Sequence, residues 1–177
     1  MRPTLSRYQI YELDIYLDKN TSLLDIGGNV GFFSTYLSRF VKEVTILEKE
    51  KDFTKIGRKL IKKEKIKNVT INNTNFESHK TKQKYDFILS LAVHQYMKYS
   101  LDEYLKQLSI MLNKKGKVLL ETHEREWENL PHKKNRWTQR KKLLKTIENN
   151  KYFKILKEDY IDDNQGRIRK FYILEKR

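Results

Sequence analysis

"LLDIGGNVGFFS", Leu23 to Ser34, decides how the rest of the chain reads. A short apolar run carrying one acid ends in two glycines. A third glycine follows, and then an amphipathic run begins. That order describes a buried strand turning at once into a helix. Glycine supplies positive φ and lets other groups approach the backbone, and asparagine, here Asn29, is the next most tolerant residue. A tight turn needs this freedom. So does a loop that holds a ligand against bare backbone, and the spacing downstream fits a ligand.

Working outward, "SRYQIYELDIYLD" (6–18) has Ile10, Leu13 and Leu17 at helical spacing and predicts an opening helix within residues 1–20. "GFFSTYLSRFV" (31–41) reads as a helix, "EVTILE" (43–48) as a strand and "KDFTKIGRKLIKKEK" (51–65) as a basic amphipathic helix. "NVTINN" (68–73) and "YDFILSL" (85–91) are strands three and four. "SLDEYLKQLSIML" (100–112) is a helix with Leu101, Tyr104, Leu105, Leu108 and Leu112 on one face. "NKKG" (113–116) stops it before strand five, "KVLLET" (117–122). A helix around 138–149 follows, then two strands, 152–160 and 168–176, joined through the short "DDNQG". Strands alternating with helices predict an α/β fold: a doubly wound, mostly parallel seven-stranded sheet with helices on both faces. The short final connection makes the last strand antiparallel. No linker or repeat divides residues 1–177, which read as a single domain.

Composition excludes several chemistries. The chain has 177 residues and no cysteine, so disulfides, cysteine-based metal sites and a cysteine nucleophile are ruled out, and no metal site is expected. No run approaches the length of a membrane span, and "MRPTLSRYQIYELDIYL" lacks a signal peptide's apolar core. The expectation is a soluble, cytoplasmic protein with no membrane partner. The net charge is +15, from 38 Lys+Arg against 23 Asp+Glu, which favours polyanions. An AT-rich genome would supply the same lysine excess without selection for binding.

Spacing separates the cofactors that a glycine loop can serve. The nicotinamide fingerprint G-x-G-x-x-G, started at Gly27, needs glycine where Asn29 and Phe32 stand; started at Gly28, it meets Val30 and Phe33. The Gly-Lys-Ser/Thr of a phosphate-binding Walker loop is absent. The pattern present is hydrophobic-Asp-hydrophobic-Gly-x-Asn-x-Gly. Glu48 then ends the second strand, within a few residues of the ~20 expected for a ribose-binding acid.

With these residues the chain resembles the class I, Rossmann-like S-adenosylmethionine-dependent methyltransferases over essentially its whole length. "LLDIGGNVG" is similar to their first motif and "VTILEKE" to their second, with Glu48 as the ribose acid. "NTNFES" (73–78) falls where the family contacts adenine. "YDFILSLAVHQYM" is similar to the fourth motif, and "LNKKGKVLLET" to the helix–turn–strand before the substrate side. Asn29 replaces the middle glycine of the usual G-x-G-x-G, a variant many members carry. The resemblance implies S-adenosylmethionine as cofactor, held by Asp25, Gly27, Gly28, Asn29, Gly31, Glu48, Asn75, Phe76 and Ser90.

Absences narrow the acceptor. The Asn/Asp-Pro-Pro-Tyr of exocyclic-amine DNA methyltransferases is missing, since Ser90-Leu91-Ala92-Val93 stands there. The Lys-Asp-Lys-Glu set of many ribose 2′-O-methyltransferases cannot be placed. An oxygen or nitrogen acceptor remains, on a small molecule, a nucleotide or RNA. Candidates to act on it are His94, after strand four, and Glu121 and His123, at the end of strand five. The loop 123–137 should form the substrate side, with Trp127, Lys133, Lys134, Arg136, Trp137 and Arg140 as contacts. From Pro131 to Ile147 there are seven basic residues and no acid, which suits phosphate contact and base stacking. A charge run is also what a solvated helix face looks like. The expectation is therefore a methyltransferase acting on RNA or a nucleotide. The alternatives are a small-metabolite enzyme, or a non-catalytic partner subunit with this fold.

Overall fold

The computed structural model describes residues 4–122, 140–162 and 168–177. Its centre is one sheet of seven strands: β1 (Ser22–Ile26), β2 (Glu43–Glu48), β3 (Val69–Asn73), β4 (Tyr85–Leu91), β5 (Leu112–Glu121), β6 (Phe153–Asp162) and β7 (Ile168–Lys176). They lie in the order β3-β2-β1-β4-β5-β7-β6. The first five are parallel, and β7 runs antiparallel to both β5 and β6. The order reverses between β1 and β4, where Ile26 pairs with Ser90. In such sheets the crevice beyond the carboxyl ends at this reversal is where ligands bind.

Alternate residues of each strand point to opposite faces. Leu24, Ile26, Ile88, Val118, Leu120 and Tyr172 pack with Leu101, Tyr104, Leu105 and Leu108 of α4 (Leu101–Met111) and Ile147 of α5 (Arg140–Glu148). Leu23, Val44, Ile46, Phe87, Leu89 and Phe171 form the other core. Phe33 and Leu37 of α2 (Phe32–Leu37) and Ile61 of α3 (Lys51–Lys63) pack there, beside Tyr11 and Leu13. Helix α4 begins with a reciprocal cap: Ser100 Oγ accepts from the Glu103 N–H, and the Glu103 carboxylate accepts from the Ser100 N–H. The doubly wound, seven-stranded sheet matches the expectation from the sequence.

Two elements differ from that expectation. The opening segment is not one helix but α1 (Thr4–Ile10) followed by a single 3₁₀ turn, Leu13–Ile15. Glu12 takes a left-handed conformation between them, and this turns both Tyr11 and Leu13 fully into the core. Strand β5 starts before "NKKG" rather than after it. Against β4 its register jumps from Tyr85↔Leu112 to Phe87↔Lys117, so three extra residues bulge out where Lys115 has φ 60. Between β3 and β4 residues 74–84 form no helix. Among the described residues no helix is long and apolar enough to cross a membrane.

Candidate active site

The glycine loop is fastened to β2. The N–H groups of Gly27 and Gly28 both donate to the Leu47 carbonyl, at 2.8 and 3.3 Å. Gly27 has φ +70, and a Cβ there would lie 2.5 Å from Val93 Cγ1. Gly31, at φ +80, caps α2. Asn29 is also left-handed, and its N–H donates to Glu48 Oε2 at 2.8 Å. The other oxygen, Oε1, accepts from the Glu50 N–H at 2.8 Å. Two backbone donors thus fix the Glu48 carboxylate, and its remaining lone pairs stay available for further donors.

A cavity of about 200 Å³ opens beside this loop, over the reversal in strand order. Gly27, Glu48, Asn75 and Phe76 line it, together with Ile26, Leu47, Val93, Tyr96 and Met97. Phe76 is held by edge-on contacts with Tyr99 and Tyr104. Asn75 Oδ1 accepts from the Ser78 N–H at 2.7 Å, which folds the turn that presents both residues.

Other expected residues lie behind the wall. Asp25 is buried beneath the loop and accepts from Ser34 Oγ at 2.6 Å. Burial pushes its carboxyl up to about 6, against the Ser34 hydrogen bond and the Arg7 charge, which act to lower it. A Cβ on Gly28 would collide with this carboxylate, so that glycine serves the protein's own packing. Ser90 shares a hydrogen bond with the Tyr104 hydroxyl inside the core. His94 is buried at the head of a 3₁₀ turn, and its neighbours Val93 and Tyr96 supply the wall. Glu121 is buried in an ionic cluster under α1: Arg169 donates to it at 2.6 Å, Tyr11 donates its hydroxyl, and Arg7 lies 3.7 Å away. His123, Trp127, Lys133, Lys134, Arg136 and Trp137 lie outside the described residues, as does the side chain of Arg140, which opens α5.

Arg7, Tyr11, Ser34 and Arg169 were not anticipated from the sequence. The Arg7 guanidinium sits 4.7 Å over the Phe33 ring, beside the glycine loop, so α1 covers the ends of β1 and β5. A signal existed, since Arg7 and Tyr11 are four apart and share a helix face. Their distant partner Glu121 had none.

Sequence and fold comparisons agree on what this architecture belongs to. Residues 6–157 match a family model described as a methyltransferase domain. The chain belongs to that methyltransferase family. No curated protein sequence matches it. Among solved structures, an N-methyltransferase, NodS, from Bradyrhizobium japonicum superposes with a TM-score of 0.76 at 12% identity, covering 99% of this chain and 97% of that one. An rRNA methylase from Streptococcus thermophilus gives 0.70 at 13% identity over 99% and 97%. A methyltransferase from Pyrococcus furiosus gives 0.68 at 22% identity over 99% and 83%. NodS also superposes in its complex with S-adenosyl-L-homocysteine, at a TM-score of 0.75 and 11% identity, over 99% of this chain and 88% of that one.

The methyl donor is S-adenosylmethionine, and the cavity fits it. The bare Gly27 backbone forms one wall, where any side chain would meet Val93. Glu48 offers a carboxylate already oriented by two backbone donors, suited to a pair of ribose hydroxyls. Phe76 and Asn75 offer an apolar face and an amide to a base. Among the described residues no group of three His, Cys, Asp or Glu is placed to hold a metal ion.

Proposed function

We propose that this methyltransferase transfers a methyl group to an oxygen or nitrogen of a phosphate-bearing acceptor, RNA or a nucleotide. The observation that carries the reading is the basic run from Lys133 to Lys145, in a chain of net charge +15. Eleven residues, 122–132, separate it from the end of β5 at Glu121. Because β1, β4 and β5 are parallel, the chain leaves β5 at the same edge of the sheet that bears the glycine loop. Lys133, Lys134, Arg136 and Arg140 then supply phosphate contacts, and Trp127 and Trp137 supply faces for base stacking.

The bound donor carries an activated methyl on a sulfonium, so positioning and exclusion of water supply most of the catalysis. Gly27, Glu48, Asn75 and Phe76 hold the nucleoside. The buried Asp25 carboxylate supports the loop from beneath and adds negative charge near a cationic ligand. His123 is the group to accept an acceptor's proton where one must leave, and His94, buried behind the wall, positions the turn that carries Val93 and Tyr96. Glu121, tied to Arg7, Tyr11 and Arg169, is a positioning residue that holds α1 over the site.

The test is transfer of labelled methyl from S-adenosylmethionine into fractionated cell extract. Label that becomes acid-soluble on ribonuclease treatment supports the reading. Label confined to an uncharged small molecule overturns it.

A further inference from the structure

The connection between β3 and β4 walls two cavities. Residues 74–77 bound the cofactor cavity, and residues 79–83 bound a second one, a polar cleft of about 360 Å³. Its floor is sheet. Thr45 and Thr70 are paired in register, and Asn72 follows on the same strand. Their neighbours Val44, Ile46, Val69 and Ile71 point into the core under α2 and α3, so the two threonines and Asn72 point to the other face. Elsewhere α4 and α5 cover that face and its residues are apolar. Here no helix among the described residues covers it, and the residues are polar. The surface is therefore built to remain in contact with polar matter.

Charge and hydrogen bonding indicate which matter. "KKEKIK" (62–67) and "HKTKQK" (79–84), the segments that precede β3 and β4, carry seven lysines and one acid. Lys67 and Lys80 lie on its wall. The wall's single carboxylate, Glu43, already accepts from Gln83 Nε2 at 3.2 Å. His79, also on the wall, has its Nε2 buried with no hydrogen-bond partner. Burial holds this imidazole below its ordinary pKa. An anionic oxygen at that nitrogen would satisfy it and draw a proton onto it.

We propose that this cleft binds a backbone phosphate of single-stranded RNA, with Lys67 and Lys80 supplying charge and His79 a hydrogen bond. The cleft volume lies in the range of ligand sites. Its lysines are set in a concave polar wall, which admits a strand and does not present them to a flat lipid surface. The site uses other residues than the basic run after β5, and it reaches from Lys67 at the amino end of β3 to His79, close in the chain to the turn 74–77 that walls the cofactor cavity. Its use as a substrate anchor rests on RNA being the acceptor; its binding of RNA does not.

The test is binding of a fluorescent ten-residue oligouridylate to the full chain, without methyl donor, over a range of salt concentrations. Lys67→Gln/Lys80→Gln should weaken binding roughly tenfold near 100 mM salt and lower the slope of log K against log salt by about 0.7, the value for one phosphate contact on a single strand. A control, Lys106→Gln/Lys114→Gln, removes two exposed charges elsewhere and should leave the slope unchanged. The oligonucleotide should also raise the pKa read from the His79 imidazole resonances. Wild-type affinity in the Lys67/Lys80 variant, an equal loss in the control, or an unmoved His79 each overturns the proposal. So does pyrophosphate binding at His79 as tightly as the oligonucleotide, which would assign the cleft to free phosphates. A cleft that binds RNA while label goes to a small molecule would sink the acceptor reading alone.

Discussion

At the scale of single residues, two positions decide cofactor binding. Glu48 holds its carboxylate on two backbone N–H groups, so its orientation does not depend on ligand. Glu48→Ala should weaken S-adenosylmethionine binding by about 1–3 kcal/mol in calorimetry, the cost of losing hydrogen bonds to a charged partner. Gly27→Val meets Val93 and a φ of +70 together, and should abolish binding. Normal affinity in a folded Gly27→Val protein would remove the loop from the site. Both residues were legible in the sequence, because motif spacing and strand ends fix them locally.

Asp25 yields a pH prediction. Its folded pKa, about 6, stands above the unfolded value of about 3.9, so the fold prefers the neutral acid. The stability this gives is present below about pH 4 and lost as pH rises to 6, a cost on the order of 3 kcal/mol above that. Asp25→Asn, which can still accept from Ser34, should gain stability over wild type as pH rises through that window. Chemical denaturation at a series of pH values measures it. Cofactor binding should run the other way. The donor is cationic, so its affinity should tighten as wild type ionises through pH 6, and the Asn variant should stay flat. A wild-type affinity independent of pH from 5 to 7 would detach Asp25 from the cofactor.

At the scale of elements, the strands were legible and the opening helix was not. β1, β2 and β4 are runs of apolar and β-branched residues whose bounds follow from composition alone. α1 ends early because Tyr11 reaches a partner 110 residues away, and that contact overrides the helical spacing of Ile10, Leu13 and Leu17. The β5 bulge was hidden for a similar reason, since only pairing with β4 reveals it. The cluster makes Glu121 the bond between α1, β5 and β7. Glu121→Ala leaves Arg7 and Arg169 without their carboxylate and should cost about 3 kcal/mol in urea unfolding, the lower end for breaking a buried pair, because both arginines are about one-fifth exposed. Glu121→Gln keeps an acceptor for Tyr11 and should lose less. If Glu121→Gln is as stable as wild type yet turnover collapses, Glu121 touches the acceptor and is more than a positioning residue.

At the scale of the whole molecule, the order of the sheet gathers the glycine loop, Glu48 and the Asn75–Phe76 turn at the carboxyl ends of the strands, while the lysine cleft begins at the amino ends of β2, β3 and β4 and charge is spread along the chain. The sheet was legible through alternation of elements and the family's motifs. The cleft was not, since it depends on register, on which face Thr45 and Thr70 take, and on a helix absent between β3 and β4. The remaining question is whether the net charge of +15 selects a polyanion or reflects composition. Replacing Lys133, Lys134, Arg136 and Arg140 with glutamine separates the two. Four phosphate contacts at about 0.7 each imply that raising salt from about 50 to about 200 mM weakens RNA binding about fifty-fold. The quadruple variant should flatten that dependence, raise the apparent KM for RNA and leave cofactor affinity unchanged. Trp137→Ala should instead cost about 1–3 kcal/mol with little change in slope, if a base stacks there. Compositional lysines make the opposite forecast: the quadruple variant would methylate its acceptor as well as wild type at every salt concentration, and the acceptor would then be small and uncharged.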